Sequence, residues 1–324
     1  MILVVGGAGY IGSHFVKELV QSHDTVVLDN LSTGHRWAVD DKAIFVQGNL
    51  GDSQVVQRLF DSYRIEAVLH FAAFSLVGES VQDPLKYYEN NVVGTFNLLK
   101  LMKENNINNF IFSSTAATYG IPQVEIIDEQ TSTSPINPYG HSKLMVEQML
   151  QDFSKSYDLN YAILRYFNAA GADESAIIGE SHTPETHLIP LILQHLLGQR
   201  DSISVYGTDY DTPDGTCIRD YIHVTDIAKA HMIVLDQLLA GKKLNTIYNL
   251  GNGNGYSVKQ VIDICEKVTG KKANVQYVGR REGDPAKLVA NAQKIYNEFG
   301  WQAQQDLKGI IKSAYNWHSS NLLK

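Results

Sequence analysis

Cysteines, long apolar runs and an excess of positive charge are all scarce in this sequence. Two cysteines, Cys217 and Cys265, occur in 324 residues, too few and too far apart for a disulfide framework. The cysteines and the 11 histidines lack metal-ligand spacing, so no metal site is expected. No apolar run approaches the roughly 18 residues of a membrane-spanning helix. A net charge of −8 argues against nucleic acid or an anionic membrane as partner, and we expect a cytoplasmic globular protein.

The first thirty residues carry a pattern that is typical of dinucleotide binding. An apolar run at residues 2–5 predicts a buried strand, and glycines follow at three-residue intervals (Gly6, Gly9 and Gly12) before a helical pattern. Such glycines permit a tight turn, the approach of a pyrophosphate to backbone N–H groups, and close helix–strand packing. The second predicted strand ends at Asp29, whose carboxylate can bind ribose hydroxyls and would repel a 2′-phosphate. The pattern therefore predicts a site for NAD rather than NADP.

Tyr139 and Lys143 lie four residues apart, a spacing that places both side chains on one face of a helix. A free tyrosine has a pKa of about 10, and a nearby ammonium favours its phenolate form. Lowering the pKa to about 7 takes roughly 4 kcal/mol, which a buried lysine and a nicotinamide cation together could supply. We therefore expect Tyr139 to accept a substrate proton while hydride leaves the same carbon.

Strand-like and helix-like patterns alternate through the first half of the chain. Further strands are predicted at residues 43–47, 67–71, 110–113, 162–164 and 246–250, and helices at 53–63, 85–104, 139–157, 224–239 and 307–317. This alternation predicts an α/β fold with a doubly wound parallel sheet, the Rossmann type, and a smaller mixed α/β substrate domain. The NAD-binding domain is expected at residues 1–168 plus about 224–255, and the nucleotide-sugar-binding domain at about 169–223 plus 256–324.

Short motifs spread over the chain carry a family resemblance. They are GGAGYIGSH (6–14), LDNL (28–31), HFAA (70–73), VGES (77–80), NNV (90–92), FSS (112–114), PYGHSK (138–143), RYFN (165–168), RDYIHV (219–224) and GRREGD (279–284). On these motifs the chain resembles the extended short-chain dehydrogenase/reductase family, and more narrowly its UDP-glucose 4-epimerases, nearly end to end.

The resemblance implies an activity and a role for each catalytic residue. The expected enzyme is an isomerase that interconverts UDP-glucose and UDP-galactose through a transient 4-keto sugar, with tightly bound NAD. Tyr139 would take the proton from the C4 hydroxyl of the sugar. Lys143 would lower the pKa of Tyr139 and bind the nicotinamide ribose, and Thr115 would bridge the C4 oxygen and the phenol.

The resemblance also implies two sets of binding residues. The cofactor-binding set is Gly6, Gly9, Tyr10, Ile11, Gly12, Asp29, Asn30, Asn49, Leu50, Phe71, Ala72, Ala73, Ser75, Asn91, Tyr139, Lys143 and Phe167. The substrate-binding set is Thr115, Asn168, His187, Leu188, Tyr206, Arg219, Arg281, Asp284 and Leu288. Since arginine forks suit phosphate oxygens, Arg219 and Arg281 are expected at the diphosphate. Tyr206 would pack on the uracil, and Asp284 would bind the uridine ribose.

Three positions depart from the pattern of the family. Asn49 stands where many members have an aspartate that binds the adenine amino group, and Ser75 replaces a lysine near the cofactor. Leu288 stands where a tyrosine restricts the pocket to plain hexoses and a small residue admits N-acetylated ones. Leucine is intermediate in bulk, so some activity on UDP-N-acetylhexosamines is expected.

Other functions remain open at this point. A 4-epimerase of another UDP-sugar, a pentose or a uronic acid, would use the same core chemistry. A nucleotide-sugar 4,6-dehydratase would need an acid–base pair just after the strand that ends near Thr115, and residues 114–118 contain no carboxylate. An NAD-binding sensor or scaffold would have no need of the Tyr139–Lys143 pair.

The resemblance finally implies a homodimer. Its interface would be a four-helix arrangement to which each subunit contributes residues 85–104 and 139–157. Met149 and Phe153 are candidate contacts on the second of these helices.

Overall fold

A computed structural model describes residues 1–281 and 283–320. Glu282, in the last family motif, and residues 321–324, in the predicted second domain, lie outside the described residues. The strands, in chain order, are β1 (Ile2–Val5), β2 (Thr25–Asp29), β3 (Ile44–Gln47), β4 (Ala67–His70), β5 (Asn109–Thr115), β6 (Asn160–Tyr166), β7 (Asn168–Ala170), β8 (Ile203–Tyr206), β9 (Ile218–His223), β10 (Thr246–Leu250), β11 (Gly255–Ser257), β12 (Val275–Val278) and β13 (Lys287–Leu288).

The α-helices, in chain order, are α1 (Tyr10–Leu19), α2 (Ser53–Ser62), α3 (Val77–Gln82), α4 (Pro84–Tyr87), α5 (Thr95–Glu104), α6 (Pro138–Tyr157), α7 (Leu188–Leu196), α8 (Val224–Leu239), α9 (Val258–Thr269), α10 (Gln293–Phe299) and α11 (Leu307–Ser319). A π-helical segment runs from Tyr88 to Gly94, and short 3-10 helices lie at Arg36–Ala38 and Ala116–Tyr119. Every helix in the described ranges is too short or too polar to cross a lipid bilayer.

Contacts divide the chain into two compact units. The first unit comprises Met1–Gly120, Thr133–Arg165 and Ala228–Tyr248. The second comprises Ile121–Ser132, Tyr166–Ile227 and the described residues from Asn249 onward. The domain boundaries expected from the sequence stay a prediction; this division assigns residues 121–132, 166–168, 224–227 and 249–255 to the second unit rather than the first.

The first unit is built on a sheet that, in the described part of the chain, has seven strands in the order β10–β6–β5–β4–β1–β2–β3. The pairs from β3 through β2, β1 and β4 to β5 are parallel. Strands β1 and β4 are buried along their whole length, which explains their continuous apolar sequences. The strand order reverses beside β1, the point where such sheets bind ligands. The predicted doubly wound α/β fold is therefore confirmed.

The apolar core of the first unit packs helices α5 and α6 against this sheet. Val68 and Phe110 on the sheet pack with Leu98 of α5 and with Val146 and Leu150 of α6, and all five are buried. Each such apolar side chain contributes about 1.5–3 kcal/mol on full burial. Helix α6, which carries Tyr139 and Lys143, is thus fixed on the sheet by its apolar face.

The prediction of a single helix at residues 85–104 is wrong in detail. The chain forms α4, then the π-helical segment, then α5. The hydroxyl of Thr95 donates to the carbonyl oxygen of Asn91 at 2.8 Å, and the Asn91 side chain bonds other parts of the unit. Single π turns inside helices occur often at functional sites.

The second unit contains two small sheets among its described residues. In one, β9 pairs antiparallel with β11 and parallel with β13 and β7. In the other, β8 pairs with β12 in parallel. Side chains of α7, α9 and α11 form a separate apolar core around Leu193, Val261 and Ile311. This is the smaller mixed α/β part that the sequence predicts.

Candidate active site and nucleotide-binding residues

The turn between β1 and α1 accepts only glycine at two of its positions. Gly6 has a φ of +81°, and a Cβ atom there would lie 2.4 Å from the backbone nitrogen of Ala72. A Cβ atom on Gly12 would lie 2.3 Å from the carbonyl oxygen of Gly6. Helix α1 begins at Tyr10 after Gly9, which supplies no side-chain cap. An uncapped helix N-terminus favours an anion such as a pyrophosphate, so this turn fits NAD.

Asp29 lies at the end of β2 beside this turn. Its carboxylate accepts hydrogen bonds from the N–H groups of Ala8 at 2.9 Å and Leu31 at 2.8 Å. Burial raises the pKa of Asp29 above its ordinary value, and these two N–H groups act in the opposite direction. The two bonds fix the orientation of the carboxylate, whose further lone pairs can accept from ribose hydroxyls.

A cavity of about 550 Å³ lies in the first unit and is lined in part by Asn30, Asn49, Phe74 and Asn90. This volume is within the usual range for small-molecule sites. The side-chain oxygen of Asn49, predicted to contact adenine, accepts from the N–H of Gly51 at 2.8 Å. The adjoining Leu50 is buried.

Asn91 joins two parts of the predicted cofactor site. Its side chain bonds both the N–H and the carbonyl of Phe74 at 3.0 Å, and it donates to the hydroxyl of Ser142 at 3.1 Å. It therefore connects the segment after β4, which includes the predicted contacts Phe71, Ala72, Ala73 and Ser75, to helix α6. Ser75 itself is exposed.

Tyr139, Lys143 and Thr115 come together in the first unit. Asn137 caps α6 by accepting from the N–H of Gly140 at 2.8 Å, which sets Tyr139 in the first turn. The Thr115 hydroxyl, at the end of β5, lies near enough to the Tyr139 phenol to influence its pKa. One turn later, the Lys143 ammonium donates to the carbonyl oxygen of Ser113 at 2.8 Å and is only 3 % exposed.

The role of Lys143 in lowering the pKa of Tyr139 stays a prediction, and in the protein alone the pKa of Tyr139 is raised. Burial raises the pKa of Tyr139 above its ordinary value, and the bond from Thr115 opposes this shift. Burial also lowers the pKa of Lys143 to about 7, while the charge of Glu147 opposes that shift. A buried lysine that is only partly protonated near neutral pH is a weak source of positive potential, and this explains the difference.

The predicted substrate residues of the second unit form two pairs. Arg219 makes an ion pair with Asp284 at 2.7 Å and also donates to the carbonyl of Ile218. The guanidinium of Arg281 lies 3.9 Å from the ring centroid of Tyr206. The two residues predicted for the diphosphate therefore each contact a residue predicted for the uridine.

Four other predicted substrate residues lie on nearby elements of the second unit. Asn168 is exposed at the start of β7, and Leu288 is half-buried in the short strand β13. Strand β13 pairs with β9, which places Leu288 opposite Arg219. His187 is the N-cap residue of α7, directly before Leu188. Phe167, a predicted cofactor contact, is buried in the same unit.

Comparison with known proteins identifies the family. The sequence profile of the NAD dependent epimerase/dehydratase family matches residues 2–251. The chain belongs to this family.

Individual relatives align with nearly the whole chain. The UDP-glucose 4-epimerase of Halalkalibacterium halodurans is 49 % identical over 322 residues, 99 % of this chain and 96 % of the relative. The crystal structure of UDP-glucose 4-epimerase from Brucella ovis in complex with NAD is 46 % identical with a TM-score of 0.94, covering 97 % of both chains. The UDP-glucose 4-epimerase from Bifidobacterium longum in complex with NAD+ and UDP is 39 % identical with a TM-score of 0.93, covering 99 % of this chain and 98 % of the other.

Membership of the NAD dependent epimerase/dehydratase family confirms two expectations. The predicted cofactor is NAD, and the predicted resemblance is to the extended short-chain dehydrogenases/reductases. The roles given to individual site residues stay predictions, which the described geometry fits in the ways set out above.

One buried ion pair of this epimerase/dehydratase domain was not predicted from the sequence. Glu147 has no exposed surface, and its carboxylate accepts from Arg165 Nε at 2.9 Å, from Arg165 Nη2, and from the hydroxyl of Ser114. The Arg165 guanidinium also lies 4.7 Å from the ring centroid of Tyr119. Glu147 is one helical turn beyond Lys143 on α6, and that spacing was the available signal.

Proposed function

We propose that this chain is a UDP-glucose 4-epimerase, an NAD-dependent isomerase that interconverts UDP-glucose and UDP-galactose through a transient 4-keto sugar. The observation that carries the proposal is that the Thr115 hydroxyl acts on the Tyr139 phenol, with the buried Lys143 one helical turn away. This group lies in the same unit as Asp29 and the glycine turn that fits NAD. Full-length relatives with this activity at 45–49 % identity support it.

The residues of the first unit provide the acid–base chemistry. The Tyr139 oxygen accepts the proton of the sugar C4 hydroxyl and later returns a proton to the C4 oxygen. NAD, when bound beside the glycine turn and Asp29, would supply reversible hydride transfer at C4. The Thr115 hydroxyl holds the phenol in place. Lys143 in its ammonium form favours the phenolate, and a positively charged nicotinamide adds to this effect.

The residues of the second unit provide charge and stacking for a nucleotide diphosphate. Arg219 and Arg281 suit a diphosphate with two negative charges, because their guanidinium forks match phosphate oxygens. Tyr206 presents an aromatic ring for the uracil, and Asp284 a carboxylate for the ribose hydroxyls. Binding of substrate would then compete with the Arg219–Asp284 and Arg281–Tyr206 contacts described above.

Three alternative activities are less well supported. A 4,6-dehydratase needs an acid–base pair after β5, where the chain forms the short helix Ala116–Tyr119 without a carboxylate. A sensor that only binds NAD would have no use for Tyr139 and Lys143. A 4-epimerase of a UDP-pentose or UDP-uronic acid would use the same first unit, but the full-length relatives at 45–49 % identity favour UDP-glucose.

Activity on UDP-N-acetylhexosamines is a second candidate function. Leu288 is half-buried beside Arg219, and leucine leaves more room than the tyrosine that closes this position to N-acetylated sugars. A structural neighbour, the UDP-Glc/GlcNAc 4-epimerase from Campylobacter jejuni, is 46 % identical to this chain.

We also infer that the chain forms a homodimer through α5, the preceding π-helical segment and α6. Val93 and Phe96 are 51 % and 42 % exposed, and Met145 on α6 is 43 % exposed. The candidate contacts Met149 and Phe153 are half-buried and pack partly against the core. Exposed apolar side chains on neighbouring helices are typical of an interface. The cytoplasmic localisation of the protein and its role in galactose metabolism remain predictions.

A conversion assay without added cofactor tests the proposed function. Separate samples of the purified chain are incubated with UDP-galactose, a UDP-pentose or a UDP-uronic acid, and the nucleotide released by denaturing a further sample is identified and quantified. We expect conversion to UDP-glucose and release of close to one NAD per chain. Conversion only of a UDP-pentose or UDP-uronic acid would support the alternative epimerase, and stoichiometric NAD without any conversion would support the sensor.

A further inference from the structure

The second unit contains a compact group of four side chains, of which only His187 has a predicted role in substrate binding. Glu180, His182, Glu185 and His187, here called the His-Glu cluster, bring one nitrogen or oxygen each to within 4.8 Å of one another. Glu180 is only 3 % exposed, and the side chain of Glu185 is 4 % exposed. Two nearly buried carboxylates require a positive partner, because an unpaired buried charge is costly. No metal site was expected from the spacing along the sequence.

One distance within the cluster is a hydrogen bond, and the other three are too long for hydrogen bonds but short enough for a shared metal ion. His187 Nδ1 lies 2.6 Å from a Glu180 oxygen and 3.4 Å from a Glu185 oxygen. His182 Nδ1 lies 3.5 Å from a Glu180 oxygen and 3.7 Å from a Glu185 oxygen. Hydrogen bonds of this kind are about 2.7–3.2 Å long. Ligands about 2.1 Å from a tetrahedral zinc ion lie about 3.4 Å apart. The 3.5 Å separation of His182 and Glu180 is near that value, and each histidine lies 3.4–3.7 Å from one of the two Glu185 oxygens, His187 from Oε1 and His182 from Oε2.

We propose that the His-Glu cluster binds one Zn²⁺ ion through the Nδ1 atoms of both imidazoles and one oxygen of each carboxylate. Imidazole and carboxylate together suit zinc, whereas calcium and magnesium prefer oxygen ligands throughout. Four protein ligands leave no position for a reacting molecule, so the site is structural. The dication neutralises the two carboxylates that the fold has buried.

A fifth side chain supports a metal at this place. The imidazole of His318 is 3 % exposed, and neither of its ring nitrogens has a hydrogen-bond partner within the described residues. It lies close enough to Glu180 and Glu185 for both carboxylates to act on it electrostatically. Metal-binding histidines usually have neighbours that bond their second ring nitrogen or the other ligands, and His318 is placed for such a role.

The location of the cluster indicates what the ion would do. Glu185 accepts from the N–H groups of Thr186 at 2.7 Å and His187 at 2.9 Å, and helix α7 begins at the next residue, Leu188. Trp317 donates to the carbonyl of Glu180 at 3.0 Å. A zinc ion would join residues 180 and 187 and so hold the start of α7. The site is independent of the proposed function, although His187 and Leu188 are also predicted substrate positions.

Zinc content measures the proposal directly. Full-length chain without an affinity tag is incubated with ZnCl₂, dialysed against metal-free buffer, and assayed for zinc by mass spectrometry. We expect about one zinc per chain in the wild type and less than about a tenth of that in Glu180→Gln and His182→Gln, because a structural site needs its whole ligand set. His23→Gln, at a histidine of the first unit outside the cluster, is the matched control and should retain the ion.

X-ray absorption at the zinc edge gives a second measurement that needs no variant. A first shell of four nitrogen or oxygen atoms supports the site, and any sulfur ligand contradicts it. Wild-type protein that holds less than about a tenth of a zinc per chain overturns the proposal, and the cluster is then two imidazolium–carboxylate pairs. Zinc that both cluster variants retain also overturns it, since the ion then binds elsewhere.

Discussion

In the proposed mechanism, three residues of the first unit have different roles in proton transfer. Tyr139 supplies the oxygen, Thr115 orients it, and Lys143 supplies charge, yet burial disfavours the charged forms of Tyr139 and Lys143. Glu147 acts against this for Lys143, because a negative charge one helical turn away favours the ammonium. The site therefore depends on a buried carboxylate that touches neither sugar nor cofactor in the proposed mechanism.

We expect Glu147→Gln to destabilise the protein by about 3–5 kcal/mol, since it leaves the buried Arg165 without its counter-charge. The measurement is the free energy of unfolding in urea. The double variant Glu147→Leu/Arg165→Met removes both charges and should lose clearly less. Asp152→Asn, an exposed carboxylate on the same helix, serves as control and should change little. Equal stability of Glu147→Gln and the wild type would show that the ion pair has no such role.

Leu288 is the residue that we expect to set the range of sugars. The wild type should convert UDP-N-acetylgalactosamine as well as UDP-galactose, and Leu288→Tyr should reduce kcat/KM for the N-acetylated sugar by about 10–200-fold, the usual effect of a small steric change in a pocket. The rate with UDP-galactose should stay within a few fold. A wild type that ignores the N-acetylated sugar but is active on UDP-galactose would refute this role.

At the scale of elements, the glycine-rich turn at residues 251–255 has a structural explanation. The sequence GNGNG resembles a nucleotide loop, but its N–H groups bind a side chain of the protein. Asp220 on β9 accepts from the N–H groups of Asn252 at 2.8 Å and Gly253 at 2.9 Å, and from that of Ala290 at 3.1 Å. Asp220 thereby joins β9 to the turn before β11.

This arrangement predicts a pH dependence of stability. Burial raises the pKa of Asp220 to about 6 from an ordinary 3.8, although the three N–H groups oppose the shift. Between these values the folded state binds the proton and the unfolded state does not, so the contribution of Asp220 to stability falls as pH rises from about 4 to about 6. Two pKa units correspond to about 3 kcal/mol at most.

Asp220→Asn should therefore flatten the decline in unfolding free energy between pH 4 and pH 6 relative to the wild type. The measurement is urea unfolding at several pH values for both proteins. Asp263→Asn, at an exposed carboxylate of α9, is the control and should follow the wild type. Parallel curves for Asp220→Asn and the wild type would contradict the assigned pKa.

Elements differ in how well the sequence predicts them, for physical reasons. Strand β1, the glycine turn and α1 depend on local pattern, and the sequence alone predicts them correctly. The π-helical segment depends on bonds of Asn91 to Phe74 and Ser142, which are distant in the chain. The pairing of Glu147 with Arg165 and the His-Glu cluster likewise depend on how the chain folds back. The spacing of Glu147 from Lys143 was a signal for its position on the helix, but not for its partner Arg165.

At the scale of the whole molecule, the proposed dimer is the main expectation. Phe96→Glu places a charge among the exposed apolar side chains of α5 and α6 and should convert a dimer to a monomer in light scattering at micromolar concentration. Ile177→Glu, at a 61 % exposed apolar residue of the second unit, should leave the dimer intact. A monomeric wild type would count against the interface.

The central claim is that the Tyr139 oxygen accepts the substrate proton beside bound NAD. The most direct test compares Tyr139→Phe with the wild type, measuring both the rate of UDP-galactose conversion and the NAD released on denaturation. We predict a rate about 10²–10⁴-fold lower, the usual contribution of a positioned acid–base group, with the NAD content unchanged. A variant that converts UDP-galactose at the wild-type rate with its NAD in place would contradict the account.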